Sequence, residues 1–153
     1  MASPRVRRDR TAIKRYSLSR PLQLAIDAGL LTDQSTVFDY GCGRGDDVRL
    51  LAKRGLAASG WDPAHFSEAA KVDADVVNLG YVLNVIEDRG ERLKTLKKAW
   101  ELAQNALVVS VRLYTEIRSG NFREYGDGYI SERDTFQKFY TQAELRAWMT
   151  DNL

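Results

Sequence analysis

The stretch VFDYGCGRGDD, residues 37–47, decides the fold of this chain. Residues 36–40 form a short, apolar segment rich in β-forming side chains, which predicts a buried parallel strand. Three glycines stand at alternate positions after it: Gly41, Gly43 and Gly45. A helix is predicted over residues 46–54. A strand, a glycine-rich turn and a helix N-terminus together form a site for negative or polar ligand groups.

The spacing of the three glycines distinguishes between types of nucleotide-binding turn. A dinucleotide-binding turn has glycines at relative positions one, three and six. Here they fall at one, three and five, and Asp46 takes the sixth position. A phosphate-binding loop of the Walker type ends in Gly-Lys-Ser/Thr, which this stretch lacks. The spacing therefore disfavours a dinucleotide-dependent oxidoreductase. This class of enzyme is kept as the third of three hypotheses for the function.

Strands and helices alternate along the rest of the chain. Further strands are predicted at residues 56–61, 74–79 and 106–113. Further helices are predicted after a Ser19 cap, over residues 89–104 with Leu93, Leu96, Trp100 and Ala103 inward, and after the capping box of Thr141 and Glu144. Residues 114–140 are aromatic and contain glycines, which indicates a long functional loop. The alternation predicts an α/β domain, residues 18–153, built on a parallel sheet.

The pattern Asp39-x-Gly41-x-Gly43-x-Gly45 resembles the first motif of class I S-adenosylmethionine-dependent methyltransferases. Their cofactor carries a sulfonium cation and no pyrophosphate, so Asp39 can favour its cationic end, directly or through water. Glycines let the backbone approach such a ligand closely. Asp62 ends the next predicted strand, where methyltransferases and dehydrogenases place an acid for the ribose hydroxyls. Cys42 is grouped with these cofactor-binding residues by its position, and we expect its side chain to pack within the turn.

The third predicted strand ends in Asn78-Leu79-Gly80-Tyr81, at the edge of the sheet where open α/β folds bind ligands. These four residues resemble the Asp/Asn-Pro-Pro-Tyr/Phe motif of enzymes that methylate amino groups of nucleic acid bases, without its two prolines. The resemblance implies that Asn78 helps to bind the target amine and that Tyr81 stacks on the base. Asn78 is also assigned to the cofactor site. A strand end with Tyr81 packed on the following segment is the simpler alternative.

Seven basic residues stand among the first twenty, opposed only by Asp9. Those assigned to nucleic acid binding are Arg5, Arg7, Arg8, Arg10, Lys14 and Arg15. A basic arm over residues 1–17 suits a phosphate backbone, because each neutralised phosphate releases a counterion. A solvated, frayed terminus is an equally open interpretation, and a mitochondrial transit peptide is a third.

Composition argues against several kinds of site. With 153 residues, the chain is long enough for one domain with its own core. Cys42 and His65 are the only cysteine and histidine, which excludes a disulfide framework and argues against a Cys- or His-based metal site. No apolar run approaches the roughly 20 residues that cross a bilayer, and the N-terminus lacks the apolar core of a secretory signal. We therefore expect a cytoplasmic protein without a membrane partner.

Five segments carry a narrower resemblance over residues 10 to 150: RTAIKRYSLSRPLQLAIDAGLL, VFDYGCGRGDDVRLL, SGWDP, ADVVNLGYVLNVIED and TFQKFYTQAEL. Together they resemble the methyltransferases associated with DNA phosphorothioation gene clusters. The resemblance implies S-adenosylmethionine as cofactor, a DNA-linked role, and other proteins of a DNA modification system as partners. It favours a methyltransferase acting on DNA or RNA. The alternative is a non-catalytic nucleic-acid-binding or assembly module with a vestigial cofactor site.

Two departures from the class I pattern concern the length of the chain. Only twelve residues separate Asp62 from Asp75, too few for the helix-strand-helix unit that normally intervenes. One middle strand unit is therefore predicted to be missing. The chain also stops at Leu153, at a helix that two closing strands usually follow. We expect either the N-terminal part of a longer protein or a short version completed by a partner.

Overall fold

The computed structural model describes residues 5–117 and 121–153. The helices are α1 (Arg20–Asp27), α2 (Asp46–Lys53), α3 (Arg89–Leu102) and α4 (Gln142–Asn152). The strands are β1 (Thr36–Tyr40), β2 (Ala57–Trp61), β3 (Ala74–Gly80), β4 (Ala103–Ser110), β5 (Arg123–Tyr125), β6 (Gly128–Ile130) and β7 (Phe136–Gln137).

The main sheet has four parallel strands in the order β2-β1-β3-β4. Its central strands are apolar on both faces, as expected when helices cover both sides of a parallel sheet. On one face Val37 and Val76 pack with Leu22 of α1 and Leu51 of α2. On the other face a second cluster packs with α3 and α4: Phe38, Val77, Leu79, Leu96 and Trp148. The predicted Rossmann-like α/β fold is confirmed.

The predicted absence of a middle strand unit is also confirmed within the part of the chain that the structure describes. Residues 62–73 form turns and one isolated bridge between Asp62 and Phe66, and β2 lies at the edge of the sheet. The reason is length, since each parallel crossover needs a dozen or more residues, and an additional strand would need two crossovers where residues 62–73 allow only one. The segment instead leads directly from β2 to β3.

Residues 114–140, predicted as a long functional loop, contain regular secondary structure in the part that the structure describes. The segment contains a short 3-10 helix, Tyr114–Glu116, and a three-stranded antiparallel sheet, β5-β6-β7. Gly126 has φ +57° at the first of two central positions of the β5–β6 hairpin, where such turns favour glycine. In the sequence, the two glycines of YGDGY, residues 125–129, are typical of such a hairpin turn.

The inward face of α3 also differs from the prediction. Trp100 is 52% exposed, whereas Arg92 and Ala99 are buried. Arg92 can be buried because its guanidinium donates to the carbonyl of Ile86 and to both carboxylate oxygens of Asp127. A guanidinium satisfied in this way replaces the apolar side chain that periodicity would place there.

The predicted capping box of α4 is present. Thr141 Oγ1 accepts from the Glu144 amide at 3.0 Å, and Glu144 Oε2 accepts from the Thr141 amide at 3.3 Å. This helix brings Leu145, Trp148 and Met149 onto the core beneath the sheet. The cap therefore fixes the residue at which α4 begins and from which it packs on the core.

We predict that Thr141→Ala lowers the free energy of unfolding by about 1 kcal/mol, because the Glu144 amide at the helix start loses its acceptor. Urea denaturation monitored by circular dichroism measures the change. Thr150→Ala is the matched control, since Thr150 is exposed on the same helix. Equal destabilisation by the two substitutions would contradict the role of the cap.

Candidate functional site

A cavity of about 690 Å³ opens at the carboxyl ends of β1, β2 and β3. That volume lies in the usual range for small-molecule sites. The predicted cofactor residues that line it are Asp39, Gly41, Cys42, Gly43, Asp62 and Asn78. Tyr81 and three arginines of the arm, Arg8, Arg10 and Arg15, line it as well. Residues that sequence analysis placed on three separate strand ends therefore meet at one site.

The glycine turn has a conformation and a packing that side chains would disturb. Gly41 has φ +88° and Gly43 has φ +55°, in the left-handed region that favours glycine. A Cβ on Gly41 would collide with Val82, and one on Gly43 would lie 3.2 Å from Ala12 Cβ. Gly45, at φ +79°, is the residue immediately before α2. The turn thus exposes backbone toward the cavity, as expected for a surface that a ligand approaches closely.

Asp62 holds the glycine turn against the end of β2. Its Oδ2 accepts from the Gly43 amide at 2.9 Å, and its Oδ1 accepts from the amides of Ala64 and His65 at 2.9 and 3.1 Å. A carboxylate offers about four acceptor positions, so about one remains for a ligand hydroxyl. Asp62 therefore has both a structural role and the capacity that its predicted ribose contact needs.

Asp39 is a buried acid with a single hydrogen-bond partner among the described residues. It is 4% exposed, and Asn78 Nδ2 donates to its Oδ1 at 3.0 Å across the β1–β3 pair. Burial, followed by the charges of Asp47 and Asp62, raises the pKa of Asp39 from 3.8 to about 7. A cation near this carboxyl would favour its ionised form. The site is thus suited to the positive end of a ligand.

Cys42 packs inside the turn. A Cβ on Gly60 would lie 2.7 Å from Cys42 Cβ, so β2 passes close beneath the cysteine. Burial, with Asp39 and Asp62 nearby, raises the pKa of the Cys42 thiol to about 12. The thiol therefore stays protonated at neutral pH and is a poor nucleophile.

Asn78 and Tyr81 lie together at the end of β3 but differ in exposure. The Asn78 side chain is buried, and its Oδ1 has no hydrogen-bond partner. Tyr81 is partly exposed, with φ +57°, and the Arg112 guanidinium lies 5.9 Å from its ring centre. A left-handed conformation in a residue other than glycine is strained, and such strain concentrates at functional sites. The Asn78 amide is directed toward Asp39, and Tyr81 is among the residues that line the cavity.

The described part of the basic arm, residues 5–17, lies across the cavity. Arg8 donates to Glu87 and to both carboxylate oxygens of Glu91, and Arg7 pairs with Asp9. Arg5 is exposed, and the Lys14 ammonium lies over the ring of Tyr16. Residues 1–4 lie outside the described residues. Arg7 and Arg8 are therefore already neutralised by carboxylates of the chain.

Two aspartates that sequence analysis did not assign anchor this arm. Asp46 Oδ2 accepts from the Arg15 amide at 2.6 Å, and Asp47 Oδ1 accepts from the Ser19 amide at 2.8 Å. The predicted Ser19 cap is wrong in its detail, because the Ser19 hydroxyl is buried without a partner and only the backbone amide and carbonyl of Ser19 are bonded. In the sequence, the feature that could have indicated this role is the pair of adjacent acids at the start of a predicted helix.

Two other features, a metal site and a membrane-spanning helix, are absent from residues 5–117 and 121–153. These residues contain no cluster of histidine, cysteine, aspartate or glutamate suited to a metal ion. None of their helices combines the length and the apolar character that crossing a bilayer requires.

We predict that Asp39→Asn stabilises the protein increasingly as the pH rises. Because the folded pKa of about 7 lies above the ordinary 3.8, the unfolded chain loses this proton first and the wild type loses stability between those values. The gain should reach the order of 1 kcal/mol or more above neutral pH and vanish in acid. Urea denaturation across this pH range measures it, with exposed Asp33→Asn as the control. A gain that does not depend on pH would contradict the raised pKa.

Comparison with known proteins adds fold neighbours at low sequence identity. No protein-family model and no curated protein matches the sequence. The CcbJ methyltransferase from Streptomyces caelestis is 16% identical with a TM-score of 0.58, over 86% of this chain and 77% of that chain. The 1,6-didemethyltoxoflavin-N1-methyltransferase from Burkholderia thailandensis, with S-adenosylhomocysteine bound, is 15% identical with a TM-score of 0.61, over 86% and 64%.

A third neighbour is the magnesium protoporphyrin IX methyltransferase from Synechocystis PCC 6803, also with S-adenosylhomocysteine bound. It is 19% identical with a TM-score of 0.55, over 86% of this chain and 68% of that chain. This chain thus spans about two thirds to three quarters of the length of these enzymes. It has the Rossmann-like fold of class I S-adenosylmethionine-dependent methyltransferases.

Proposed function

We propose that this chain is a methyltransferase that binds S-adenosylmethionine in the cavity at the ends of β1, β2 and β3. The observation that carries the proposal is the glycine turn hydrogen-bonded to Asp62 beside the buried Asp39. The fold supports it, and two of the fold neighbours hold S-adenosylhomocysteine.

The residues present fit this cofactor. Asp62 keeps an acceptor position for a ribose hydroxyl, and the turn at Gly41 and Gly43 offers backbone free of Cβ atoms. Asp39 meets the cationic end, which would lower the pKa of its carboxyl and release a proton on binding. The cofactor supplies an electrophilic methyl group. The protein has to align the acceptor and exclude water, and such alignment accounts for much of enzymatic rate enhancement.

We further propose that the acceptor is a nucleic acid base, probed first with DNA from a phosphorothioation-associated system. Support comes from the five segments that resemble those methyltransferases, and from Tyr81 lining the cavity beside Arg112. The arm brings Arg10 and Arg15 to the same cavity. Proteins of that modification system are the partners implied. The neighbours compared above are named instead for a toxoflavin precursor and a protoporphyrin, so small-molecule acceptors form the comparison set.

A non-catalytic binding module is the second candidate, and one observation favours it. The Asn78 amide group is bonded to Asp39, and its oxygen is buried, so neither end is presented to an acceptor amine. Binding of S-adenosylhomocysteine without methyl transfer to DNA, RNA or small amines would support this candidate. Turnover with any of these acceptors would exclude it.

We predict that Asp62→Asn weakens S-adenosylhomocysteine binding by about 1–3 kcal/mol, which is roughly five- to 150-fold in Kd. Asparagine keeps the Oδ1 that accepts from Ala64 and His65 but places an NH₂ group against the Gly43 amide. It is preferred to alanine, which would remove all three hydrogen bonds and disturb the loop. Isothermal titration measures the affinity, with Asp33→Asn as control. No heat with either S-adenosylmethionine or S-adenosylhomocysteine would overturn the proposed cofactor.

We also predict that Tyr81→Ala lowers kcat/KM for methyl transfer to an oligonucleotide at least about fivefold, whereas Tyr81→Phe has a small effect. Stacking on a base is worth about 1–3 kcal/mol and needs the ring, not the hydroxyl. Transfer of a radiolabelled methyl group measures the rates, and S-adenosylhomocysteine affinity shows that the cofactor site is intact. Equal loss in both variants would contradict the stacking role.

A further inference from the structure

Acids and basic residues both line the cavity. Four acids stand next to the glycine turn, Asp39, Asp46, Asp47 and Asp62, and Arg15, Arg44 and Lys71 line the cavity as well. A further three arginines, whose side of the cavity we call its mouth, come from separate segments: Arg10 of the arm, Arg112 after β4, and Arg133 between β6 and β7. The acidic side suits the cationic end of the proposed cofactor. The basic side therefore suits a negatively charged group of the methyl acceptor.

These three guanidinium groups differ from the arginines that hold the fold together. Arg8, Arg49 and Arg92 each pair with a carboxylate of the chain. Within residues 5–117 and 121–153, no carboxylate lies within ion-pair distance of Arg10, Arg112 or Arg133. Arg10 instead donates to the carbonyl of Arg133 at 3.4 Å, which places the arm beside the β6–β7 turn. Arg112 lies over the Tyr81 ring.

The acids on this side of the cavity are already engaged. Glu91 pairs with Arg8, and Glu116 accepts from the Leu113 amide at the start of its own 3-10 helix. The Arg8 pair also fixes the arm two residues before Arg10 and one before Asp9, so that Arg10 is held at the mouth. The surplus of positive charge at the mouth is thus a property of the folded chain.

We propose that Arg10, Arg112 and Arg133 form a phosphate-binding subsite at the mouth of this cavity, which holds a phosphate ester of the methyl acceptor beside Tyr81. The proposal rests on the proposed function. A guanidinium presents five donors in a planar fork that matches phosphate oxygens. Three such groups exceed what one carboxylate can satisfy, whereas a phosphate ester carries about two or three non-bridging oxygens and about one or two charges, for a diester or a monoester respectively. Tyr81 then lies where the base of the same nucleotide can stack.

The phosphate can belong to a free nucleotide or to a nucleic acid backbone, and two probes separate these sources. One is a fluorescein-labelled single-stranded 12-nucleotide DNA followed by fluorescence anisotropy, with saturating S-adenosylhomocysteine. The other is deoxyadenosine monophosphate, added as a competitor alongside deoxyadenosine. If deoxyadenosine monophosphate competes with the affinity of the oligonucleotide, and deoxyadenosine does not compete, the acceptor is a nucleotide. An oligonucleotide bound about a hundredfold more tightly identifies the backbone.

Single substitutions test the three arginines. We expect Arg10→Gln, Arg112→Gln and Arg133→Gln each to weaken oligonucleotide binding about three- to tenfold, and to reduce the salt slope by about one. Arg20→Gln and Arg146→Gln are matched controls, because both are exposed on helices and do not line the cavity. Affinity for S-adenosylhomocysteine should not change in any of the five variants.

The outcomes distinguish a failure of the phosphate subsite from a failure of the proposed cofactor site. Loss of affinity in the three cavity variants with unchanged controls supports the subsite. Wild-type affinity in those variants, equal loss in the controls, or no binding of either phosphate probe overturns it. Failure of the wild type to bind S-adenosylhomocysteine in a separate titration overturns the proposed function instead, whatever the phosphate probes show.

Discussion

The rest of the structure depends on the hydrogen bonds that join the end of β2 to the glycine turn. The Trp61 carbonyl accepts from the amides of Gly41 and Cys42 at 2.7 and 2.9 Å, and Asp62 accepts from Gly43 one residue later. These bonds require backbone in the left-handed region, which is why glycines occupy the turn. They hold the turn against the end of β2, with its backbone toward the cavity.

The charge layout follows from that constraint. Once β1 and β2 end side by side, Asp39, Asp62 and the two acids that start α2 are brought together around one turn. Such a concentration of carboxylates is unfavourable, and the chain offsets it in two ways. Asp39 holds its proton to about pH 7, and Asp46 and Asp47 accept hydrogen bonds from the backbone of the arm. The arm is thus part of the site, and its basic side chains are divided between anchoring it and facing the cavity mouth.

The parts of the fold that could be predicted are those with local causes. The β1 strand, the turn and α2 follow from an apolar run, alternating glycines and a polar helix start, and β1 has the predicted bounds. The α4 capping box follows from Thr141 and Glu144 at the required spacing. The missing strand unit follows from chain length. The convergence of Asp39, Gly43, Asp62 and Asn78 could be predicted because parallel strands bring their carboxyl ends to one edge.

The sequence by itself determined the alternation of strands and helices, the glycine turn and the acids at the strand ends, since each depends on neighbouring residues. Only the tertiary structure decided that Arg92 is buried and Trp100 exposed, because Asp127 comes from a distant hairpin. It likewise decided which arginines of the arm are paired, since Glu87 and Glu91 lie some eighty positions away. Local patterns specify backbone conformation, whereas the neutralisation of a charge depends on partners that only the folded chain brings within reach.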